Sequence, residues 1–409
     1  MMMEPKIRFK GFSGEWKTQQ IGDIATFSKG KGYSKADLCS EGNPIILYGS
    51  MYTNYSSVID NVITFAPIYD GATFSKGNEV IIPASGETPE DIAIASAVKQ
   101  KDVILGGDIN IVNFDKEFEP AFMALTISNG KTHYELSRYA QGKTIVHLHN
   151  TEIAKGTISA PSLPEQRALA TFFTSLDNQI SAAEKRLASL KQVKAASLQA
   201  MFPQEGETTP KLRFKGWEGE WKKVKLGEVF ELRNGYTPSK AVDAFWTNGT
   251  IPWFRMEDIR DKGGLLKDAY QKITPEAVKG GGLFEANSIL LATTATIGVH
   301  AMLIADSLAN QRFTNLSIRK SLADKYLPMF VYYAFFGIDE WCLKNTNTGG
   351  LLSVDINELC KLPFLTPSLT EQRQIASYFT SLDRQISAQS SKISKLKQIK
   401  SACLDQMFV

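Results

Sequence analysis

Apolar residues recur at alternating spacings of three and four along a long stretch that occurs twice in the chain. Residues 165–202 and 371–408 are rich in Glu, Gln, Lys, Arg, Leu and Ala and contain neither Gly nor Pro. This pattern predicts a long amphipathic helix whose narrow apolar stripe is the a/d seam of a coiled coil. The predicted seam residues are Leu169, Phe173, Leu176, Ile180, Leu187 and Leu190 in the first copy and Ile375, Phe379, Leu382, Ile386, Ile393 and Leu396 in the second.

The two copies are an internal duplication. Residues 161–202 and 367–408 align without a gap and share 24 identities in 42 positions. Each helix would span about 58 Å at about 1.5 Å per residue, and its narrow stripe requires a narrow partner, which the other copy provides. The alternative is two separate amphipathic helices, each on its own domain. Lys194 and Lys400 favour that alternative because they interrupt the apolar pattern late in each copy.

The duplication extends to the openings of two domains. The segment 6–17, KIRFKGFSGEWK, returns as 211–222, KLRFKGWEGEWK. Each helix end is thus followed by an opening segment if Val409 lies near Lys6, and an antiparallel helix pair with pseudo-two-fold symmetry would produce that arrangement. The predicted segments are a first domain at 1–160, a first long helix at 161–203, a linker at 204–210, a second domain at 211–366 and a second long helix at 367–409.

Both regions between opening and helix predict short strands with a few short helices, which is an α+β architecture. β-rich runs alternate there with Gly, Asn and Pro punctuation. The two regions share little sequence, which indicates two modules that do one job on two different targets. The predicted strands include 43–48, 79–83, 250–255, 288–292 and 313–318, and the predicted helices are 118–128, 132–139 and 327–343.

Composition sets only broad limits. Apolar residues make up 43% of the chain and charged residues 22%, which is ordinary for a globular protein, and the net charge of +3 does not by itself indicate a nucleic-acid partner. The four cysteines show no paired spacing and are typical of free thiols in a reducing cytoplasm. The chain has neither the apolar segment of a signal peptide nor a run of about 18 apolar residues, so we expect a cytoplasmic protein with no membrane contact.

No catalytic pattern stands out. The chain contains no phosphate-binding P-loop, no GxSxG and no Pro-Pro of the kind found in DNA methyltransferase motifs. His147 and His149 are two residues apart, so on a strand both imidazoles would lie on the same face, where they could bind a metal ion. Further ligands at suitable spacing are missing, so we expect no metal site. We therefore expect a binding protein and not an enzyme.

Polar, basic and aromatic residues in the loops between strands are the candidates for DNA contact, since Lys and Arg neutralise phosphates and Asn, Gln and Arg read base edges. The candidates in the first domain are Lys29, Lys31, Tyr33, Lys35, Tyr48, Tyr52, Asn54, Tyr55, Ser85, Lys143, Thr144 and His147, and those in the second are Asn234, Tyr236, Thr237, Ser239, Lys240, Arg255, Asp258, Thr293, Thr294, Gln311 and Arg312.

Several motifs together resemble the specificity subunit of Type I restriction–modification systems. The helices begin with PSLPEQ at 161–166 and PSLTEQ at 367–372, and continue with LDNQI at 176–180 and LDRQI at 382–386. NQRF at 310–313 is also similar to that family. The resemblance covers essentially the whole chain, with Thr370 replacing the proline of the first copy.

The resemblance implies two target-recognition domains, each reading one half of a bipartite target in double-stranded DNA. The coiled coil would fix the gap between the halves and dock two methyltransferase subunits, and restriction/translocase subunits would join that core. This chain would bind no cofactor. S-adenosylmethionine, ATP and Mg would belong to the partner subunits.

Three other interpretations stay open at this stage. The chain could serve a related bipartite (Type IIB-like) system, in which one partner carries both methylation and cleavage. It could be a coiled-coil adaptor whose modules bind protein. A stand-alone nuclease with a dispersed acidic site is the third.

Overall fold

The computed structural model describes residues 4–142, 144–347 and 352–409. The chain forms two compact units. The first unit comprises the chain up to Arg186 together with Gln389–Val409, and the second unit comprises Leu187–Ala388. Each unit therefore contains the beginning of one long helix and the end of the other. No helix in these ranges is long and apolar enough to cross a membrane.

The first unit is built from short strands and short helices, followed by one long helix. Its strands are β1 (Lys17–Gln20), β2 (Ala25–Lys29), β3 (Asn43–Ile46), β4 (Val58–Ile59), β5 (Phe65–Ala66), β6 (Glu79–Pro83), β7 (Ser85–Gly86), β8 (Ser96–Val98), β9 (Ile104–Leu105), β10 (Ile109–Phe114), β11 (Val146–His147) and β12 (Thr157–Ala160). Its helices are α1 (Ile21–Ile24), α2 (Ser50–Thr53), α3 (Pro89–Ile92), α4 (Pro120–Ile127), α5 (Gly130–Tyr139), α6 (Asn150–Ile153) and the start of α7 (Leu163–Met201).

The second unit repeats this order with a longer domain helix. Its strands are β13 (Lys222–Lys225), β14 (Phe230–Asn234), β15 (Ile251–Phe254), β16 (Leu265–Leu266), β17 (Gln271–Ile273), β18 (Ile289–Ala292), β19 (His300–Leu303), β20 (Leu308–Ala309), β21 (Phe313–Ile318), β22 (Thr346–Asn347), β23 (Ser353–Val354) and β24 (Pro363–Thr366). Its helices are α8 (Leu226–Val229), α9 (Met256–Lys262), α10 (Pro328–Lys344), α11 (Ile356–Lys361) and the start of α12 (Leu369–Met407).

The two units share one sheet topology. In the first unit a five-stranded sheet has the order β2-β10-β6-β8-β4, and a three-stranded sheet has the order β5-β3-β9. The second unit has β14-β21-β18-β19-β16 and β17-β15-β20. Every residue of the central strands β6 and β18 is buried, and apart from Glu79 at the start of β6 all of them are apolar, as expected of strands covered on both faces. The predicted α+β fold with two copies of one mixed domain is confirmed.

The long helices pack antiparallel within the first unit. Phe408, near the end of α12, lies 5.5 Å from Phe173 of α7 between ring centroids. Further along α7, Asp177 forms an ion pair with Lys400 at 2.5 Å. The chain then closes as the duplication suggested, because the amide of Ile7 donates to the carbonyl of Gln406 at 3.0 Å.

The second unit repeats these contacts with the helices exchanged. Lys194 of α7 forms an ion pair with Asp383 of α12 at 2.6 Å, and the amide of Leu212 donates to the carbonyl of Ala200 at 2.8 Å. The predicted antiparallel coiled coil is therefore confirmed, and separate helices are excluded. Lys194 and the equivalent Lys400 do not disrupt the pair, because each ammonium group reaches the aspartate of the partner helix's LDxQI motif.

The predicted seam residues are buried to different degrees. Those in the first half of each helix pack against both the partner helix and the domain core, and they are almost fully buried, whereas most of those nearer the middle are half-buried. The buried set is Leu169, Phe173, Leu176, Ile180, Ile375, Phe379, Leu382 and Ile393, and the half-buried set is Leu187, Leu190, Ile386 and Leu396.

A buried ion pair joins each opening segment to the start of the adjacent long helix. Arg8 donates from Nε to Glu165 at 2.6 Å and from a second nitrogen at 2.7 Å. Arg213 binds Glu371 in the same bidentate manner, at 2.6 and 2.8 Å. The opening aromatic residues are also anchored, and Trp16 is buried against Phe408 and the core of the first unit.

Candidate nucleic-acid interface

Many predicted contact residues of the second unit lie at one edge of its five-stranded sheet, where β14 and β18 end and β21 begins. Asn234 at the end of β14 accepts a hydrogen bond from the hydroxyl of Thr314 at 3.0 Å. Thr314 in turn shares a hydrogen bond with the hydroxyl of Thr293 at 2.9 Å. A polar network therefore fixes the three strand ends relative to one another, and we call this the polar edge of the second unit.

Two further candidates extend this polar edge. The hydroxyl of Thr237 donates to the side-chain oxygen of Gln311 at 2.6 Å. The carbonyl of Arg312 accepts from the amides of Thr293 and Thr294 at 3.0 and 3.2 Å. The backbone of Arg312 is thus held while the residue remains exposed, so its guanidinium group is available to an anion. Ser239 and Lys240 are exposed on the loop that leaves β14.

Arg255 and Asp258 lie at the end of β15, next to the same edge. The amide of Asn310 donates to the carbonyl of Phe254 at 3.1 Å, which places Arg255 beside the residues that precede β21. Asp258 is fully buried, and its carboxylate accepts from the amides of Arg255 and Tyr270 at 2.9 and 2.8 Å. Asp258 therefore caps helix α9, a role that the sequence analysis did not foresee, and its carboxylate is not presented at the surface.

The first unit has an equivalent polar edge, where β2 and β6 end and β10 begins. Lys29 pairs with Asn110 in the register of β2 and β10, and Pro83 of β6 pairs with Ile109. Lys29, Lys31 and Lys35 are exposed along the loop that leaves β2. The loop approaches its neighbour so closely that a Cβ at Gly30 would meet the carbonyl oxygen of Gly106 at 1.9 Å, so this position requires glycine.

Ser85, His147 and Tyr52 come together next to this edge. The hydroxyl of Ser85 lies 3.1 Å from Nδ1 of His147, in the two-stranded pairing of β7 with β11. Tyr52 donates its hydroxyl to the carbonyl of Ser85 at 2.8 Å, and burial of that hydroxyl raises the pKa of Tyr52. Thr144 is exposed in the segment before β11, and Lys143 lies outside the described residues.

The remaining aromatic candidates of the first unit have different surroundings. Tyr48 and Asn54 are exposed on either side of α2. Tyr55 is 40% exposed, but its hydroxyl points inward to Oγ of Ser128 at 3.1 Å. Desolvation of that hydroxyl raises the pKa of Tyr55 to about 12. The exposed surface of Tyr55 is therefore the apolar part of its ring, which suits van der Waals contact and not hydrogen bonding.

The sequence analysis missed two residues at these edges. Tyr69 stacks on Tyr33 with 5.0 Å between ring centroids, and Lys279 places its ammonium group 4.7 Å from the ring centroid of Tyr236. The sequence did contain a signal, because each of the two begins a glycine-containing turn, Tyr-Asp-Gly in the first unit and Lys-Gly-Gly in the second.

Both edges combine cationic, polar and aromatic side chains. Exposed Lys and Arg side chains alternate with amides, hydroxyls and aromatic rings, which suits phosphate contact and base reading. The rings of His147 and His149 stack 6.0 Å apart. Across the described ranges no three His, Cys, Asp or Glu side chains are grouped so that they could hold a metal ion.

Comparison with known proteins gives one consistent result. The family described as the Type I restriction modification DNA specificity domain matches the chain twice, at residues 13–192 and 218–398. The chain is 52% identical over 152 residues to the Type I restriction enzyme EcoprrI specificity subunit of Escherichia coli, and 30% identical over 179 residues to the EcoR124I/EcoR124II specificity subunit of the same organism. These alignments cover 37% and 42% of the chain, and 37% and 43% of the two relatives, which is less than half of each.

A similar fold is found among solved structures. The crystal structure of the S subunit of a Type I restriction–modification system from M. genitalium superposes with a TM-score of 0.64, over 100% of this chain and 99% of that one. The sequence identity is 13%, so the likeness concerns the fold.

Proposed function

Because the chain belongs to the family of Type I restriction–modification DNA specificity subunits, we propose that it is the subunit that selects the DNA target. Each domain reads one half of a bipartite site in double-stranded DNA. The chain itself carries out no chemistry. It directs two methyltransferase subunits, and with them restriction/translocase subunits, to that site.

The observation that carries the proposal is the pair of polar edges. The same strands end at the same positions in both units, but the side chains differ: Lys29 at the end of β2 pairs in register with Asn110, whereas Asn234 at the end of β14 pairs with Thr314. One scaffold with two different sets of donors and acceptors supports the reading of two different half-sites, since sequence is read by side chains at base edges and not by the fold.

The long helices support the docking of two copies of one partner. The recognition regions have diverged to little shared sequence, yet the helices keep identical residues even at some exposed positions whose side chains form no hydrogen bond or ion pair with the described part of the chain. A surface with the same exposed residues in both copies of the duplication fits a partner of which two copies bind. Such exposed and identical pairs are Ser175 and Ser381, Gln179 and Gln385, and Ala182 and Ala388.

The catalytic cofactors belong to the partners in this proposal. S-adenosylmethionine would be bound by the methyltransferase subunits, and ATP and Mg by the restriction/translocase subunits. The contribution of this chain is position: the antiparallel helices set the gap between the half-sites, and the edges hold the DNA in register.

The test is modification-sensitive sequencing of DNA from cells that express the chain with its methyltransferase subunit. The expected result is methylation confined to a motif of two short halves around a fixed gap. Replacing residues 20–160 with the corresponding region of another specificity subunit should change one half and leave the other half and the gap unchanged. A stable complex that leaves DNA unmethylated, or a motif that changes in both halves after the replacement, contradicts the proposal.

A further inference from the structure

Each unit holds one tight turn against its polar edge by the same device. A tyrosine lies in the loop that leaves the sheet after β2 or β14, and its hydroxyl accepts a backbone N–H from a distant turn. The amide of Tyr69 donates to the hydroxyl of Tyr33 at 2.8 Å. In the second unit the amide of Lys279 donates to the hydroxyl of Tyr236 at 2.8 Å. Tyr33 and Tyr236 are therefore equivalent anchors, and positions 69 and 279 are equivalent to each other.

The turns that begin at these two positions also match. The amide of Ala72 donates to the carbonyl of Tyr69 at 3.1 Å, and the amide of Gly282 donates to the carbonyl of Lys279 at 2.9 Å. Each of the two is thus the first residue of a tight turn. The anchor tyrosine is the same in both units, whereas the residue placed over its ring is a tyrosine in one unit and a lysine in the other.

Further contacts hold the backbone of the turn in the second unit and the side chain of Tyr69 in the first, and both leading residues stay exposed. In the second unit the guanidinium group of Arg233 stacks on Phe284 at 5.0 Å and donates to the carbonyls of Gly282 and Leu283 at 3.0 Å. In the first unit the hydroxyl of Tyr69 donates to Asp37 at 3.0 Å, while the residue remains 46% exposed. Rigid presentation of an exposed side chain is what a recognition position requires, because little conformational entropy is then lost on binding.

The two exposed side chains differ in the chemistry that they offer. The ammonium group of Lys279 rests on an aromatic ring, and no carboxylate within the described part of the chain lies close enough to form an ion pair with it. It is therefore a cation without a counter-ion at the edge. Tyr69 has its hydroxyl occupied by Asp37 and stacks its ring on Tyr33, whose loop also carries the exposed Lys31 and Lys35.

We infer that positions 69 and 279 are DNA-contact positions of the two edges, an inference that rests on the proposed function. Lys279 neutralises a phosphate of the half-site read by the second domain. Tyr69 makes an uncharged contact with the sugar and base edge of the half-site read by the first domain. The anchors Tyr33 and Tyr236 act through these residues, and are positioning residues rather than contacts.

Salt dependence separates the two kinds of contact, because each neutralised phosphate adds about 0.9 to the slope of log affinity against log salt. The complex of the full chain with its methyltransferase subunits is titrated with a duplex carrying the methylated motif. Lys279→Ala should lower the magnitude of the slope by about 0.9. The ratio of wild-type to variant affinity should therefore fall about 3.5-fold between about 50 and 200 mM salt. Tyr69→Ala should weaken binding and relax the first half-site without changing the slope.

The exchange Tyr69→Lys supplies the converse test, since it should raise the slope by about 0.9. Lys361→Ala is the matched control. This exposed lysine lies on α11, which packs against α8 at the start of β14, so it is far from the polar edge where β14 ends. Its removal should leave the slope unchanged. If Lys279→Ala has the same slope as wild type, Lys279 does not neutralise a phosphate. If Tyr69→Lys has the same slope as wild type, position 69 does not lie at the DNA. If wild type itself neither methylates nor binds a bipartite motif, the proposed function fails instead.

Discussion

Removal of Arg213 tests how the opening segment is attached to the long helix. The guanidinium group holds Glu371 by two hydrogen bonds, and the side chains of Arg213 and Glu371 are 16% and 1% exposed. Arg213→Ala leaves the Glu371 carboxylate buried without its charge partner, and breaking a buried pair in this way costs about 3–5 kcal/mol. Arg213 retains some exposure, so water can reach part of the gap. We therefore expect a loss of about 3 kcal/mol in the free energy of unfolding.

Urea unfolding followed by tryptophan fluorescence measures this loss, because five of the six tryptophans lie in the second unit and Trp221 is buried in its core. The double change Arg213→Met with Glu371→Leu removes both charges and refills the space with apolar groups. Apolar replacement of a buried pair is often neutral, so the double variant should recover most of the stability. The control Lys361→Met breaks the exposed pair with Glu358, and should give no resolvable change.

The expected loss arises from the burial of the Glu371 carboxylate, and either of two results would refute that cause. One is a loss below about 1 kcal/mol for Arg213→Ala, which is the value typical of surface pairs. The other is a double variant that is no more stable than Arg213→Ala. That result would mean that the loss comes from the missing hydrogen bonds and not from an uncompensated buried charge. Arg8→Ala should produce the same loss in the first unit, since Arg8 binds Glu165 in the same way.

Three further predictions concern the helix pair and the tyrosines. Changing Leu176 and Leu382 together to Asp puts two charges into buried seam positions and should lower the thermal midpoint sharply; an unchanged midpoint would contradict their placement. A fragment of residues 1–203 should dimerise, because it contains all of α7 but lacks the end of α12 that completes the core of the first unit, and the end of α7 from a second copy can take that place. Sedimentation that shows a strict monomer at micromolar concentration would refute this. The pKa of Tyr55 is raised to about 12, so the native state favours its neutral form. The corresponding stability is complete below the usual tyrosine pKa of about 10 and is lost as pH rises through about 12, which comparison of the alkaline unfolding of wild type and Tyr55→Phe measures.

The sequence predicts the parts of the fold that depend on local pattern. The long helices were evident from the spacing of Leu169, Phe173 and Leu176, and α10 from the apolar run that begins near Leu327. Central strands such as β21 were evident from their β-branched and apolar residues. Antiparallel pairing was predictable too, because the duplication places an opening segment after each helix end.

Sequence reasoning does less well where a side chain's partner is remote in the chain. Asp258 was predicted to face DNA because it lies in a polar loop, but it is buried because Tyr270, 12 residues further on, folds back to donate to it. Lys194 was interpreted as an interruption of the seam because Asp383 is 189 residues away. Tyr69 and Lys279 were missed for the same reason, since only tertiary contact brings them to their anchor tyrosines.

Part of the helix framework is built from contacts that lie outside the recognition regions, and the domains add the hydroxyls of Ser57 and Tyr333, which donate to Asp177 and Asp383 at 2.8 Å each. Arg8 binds Glu165, and Asp177 binds Lys400, using only residues of the opening segment and the helices. The contact of Ile7 with Gln406 is made without a covalent link, whereas the equivalent contact in the second unit is bridged by a short linker. Each unit therefore forms the same framework with or without chain continuity, as expected when loop closure contributes little to stability. Residues at the polar edges can then change without cost to the framework, which is the physical condition for exchanging one recognition domain while keeping the other.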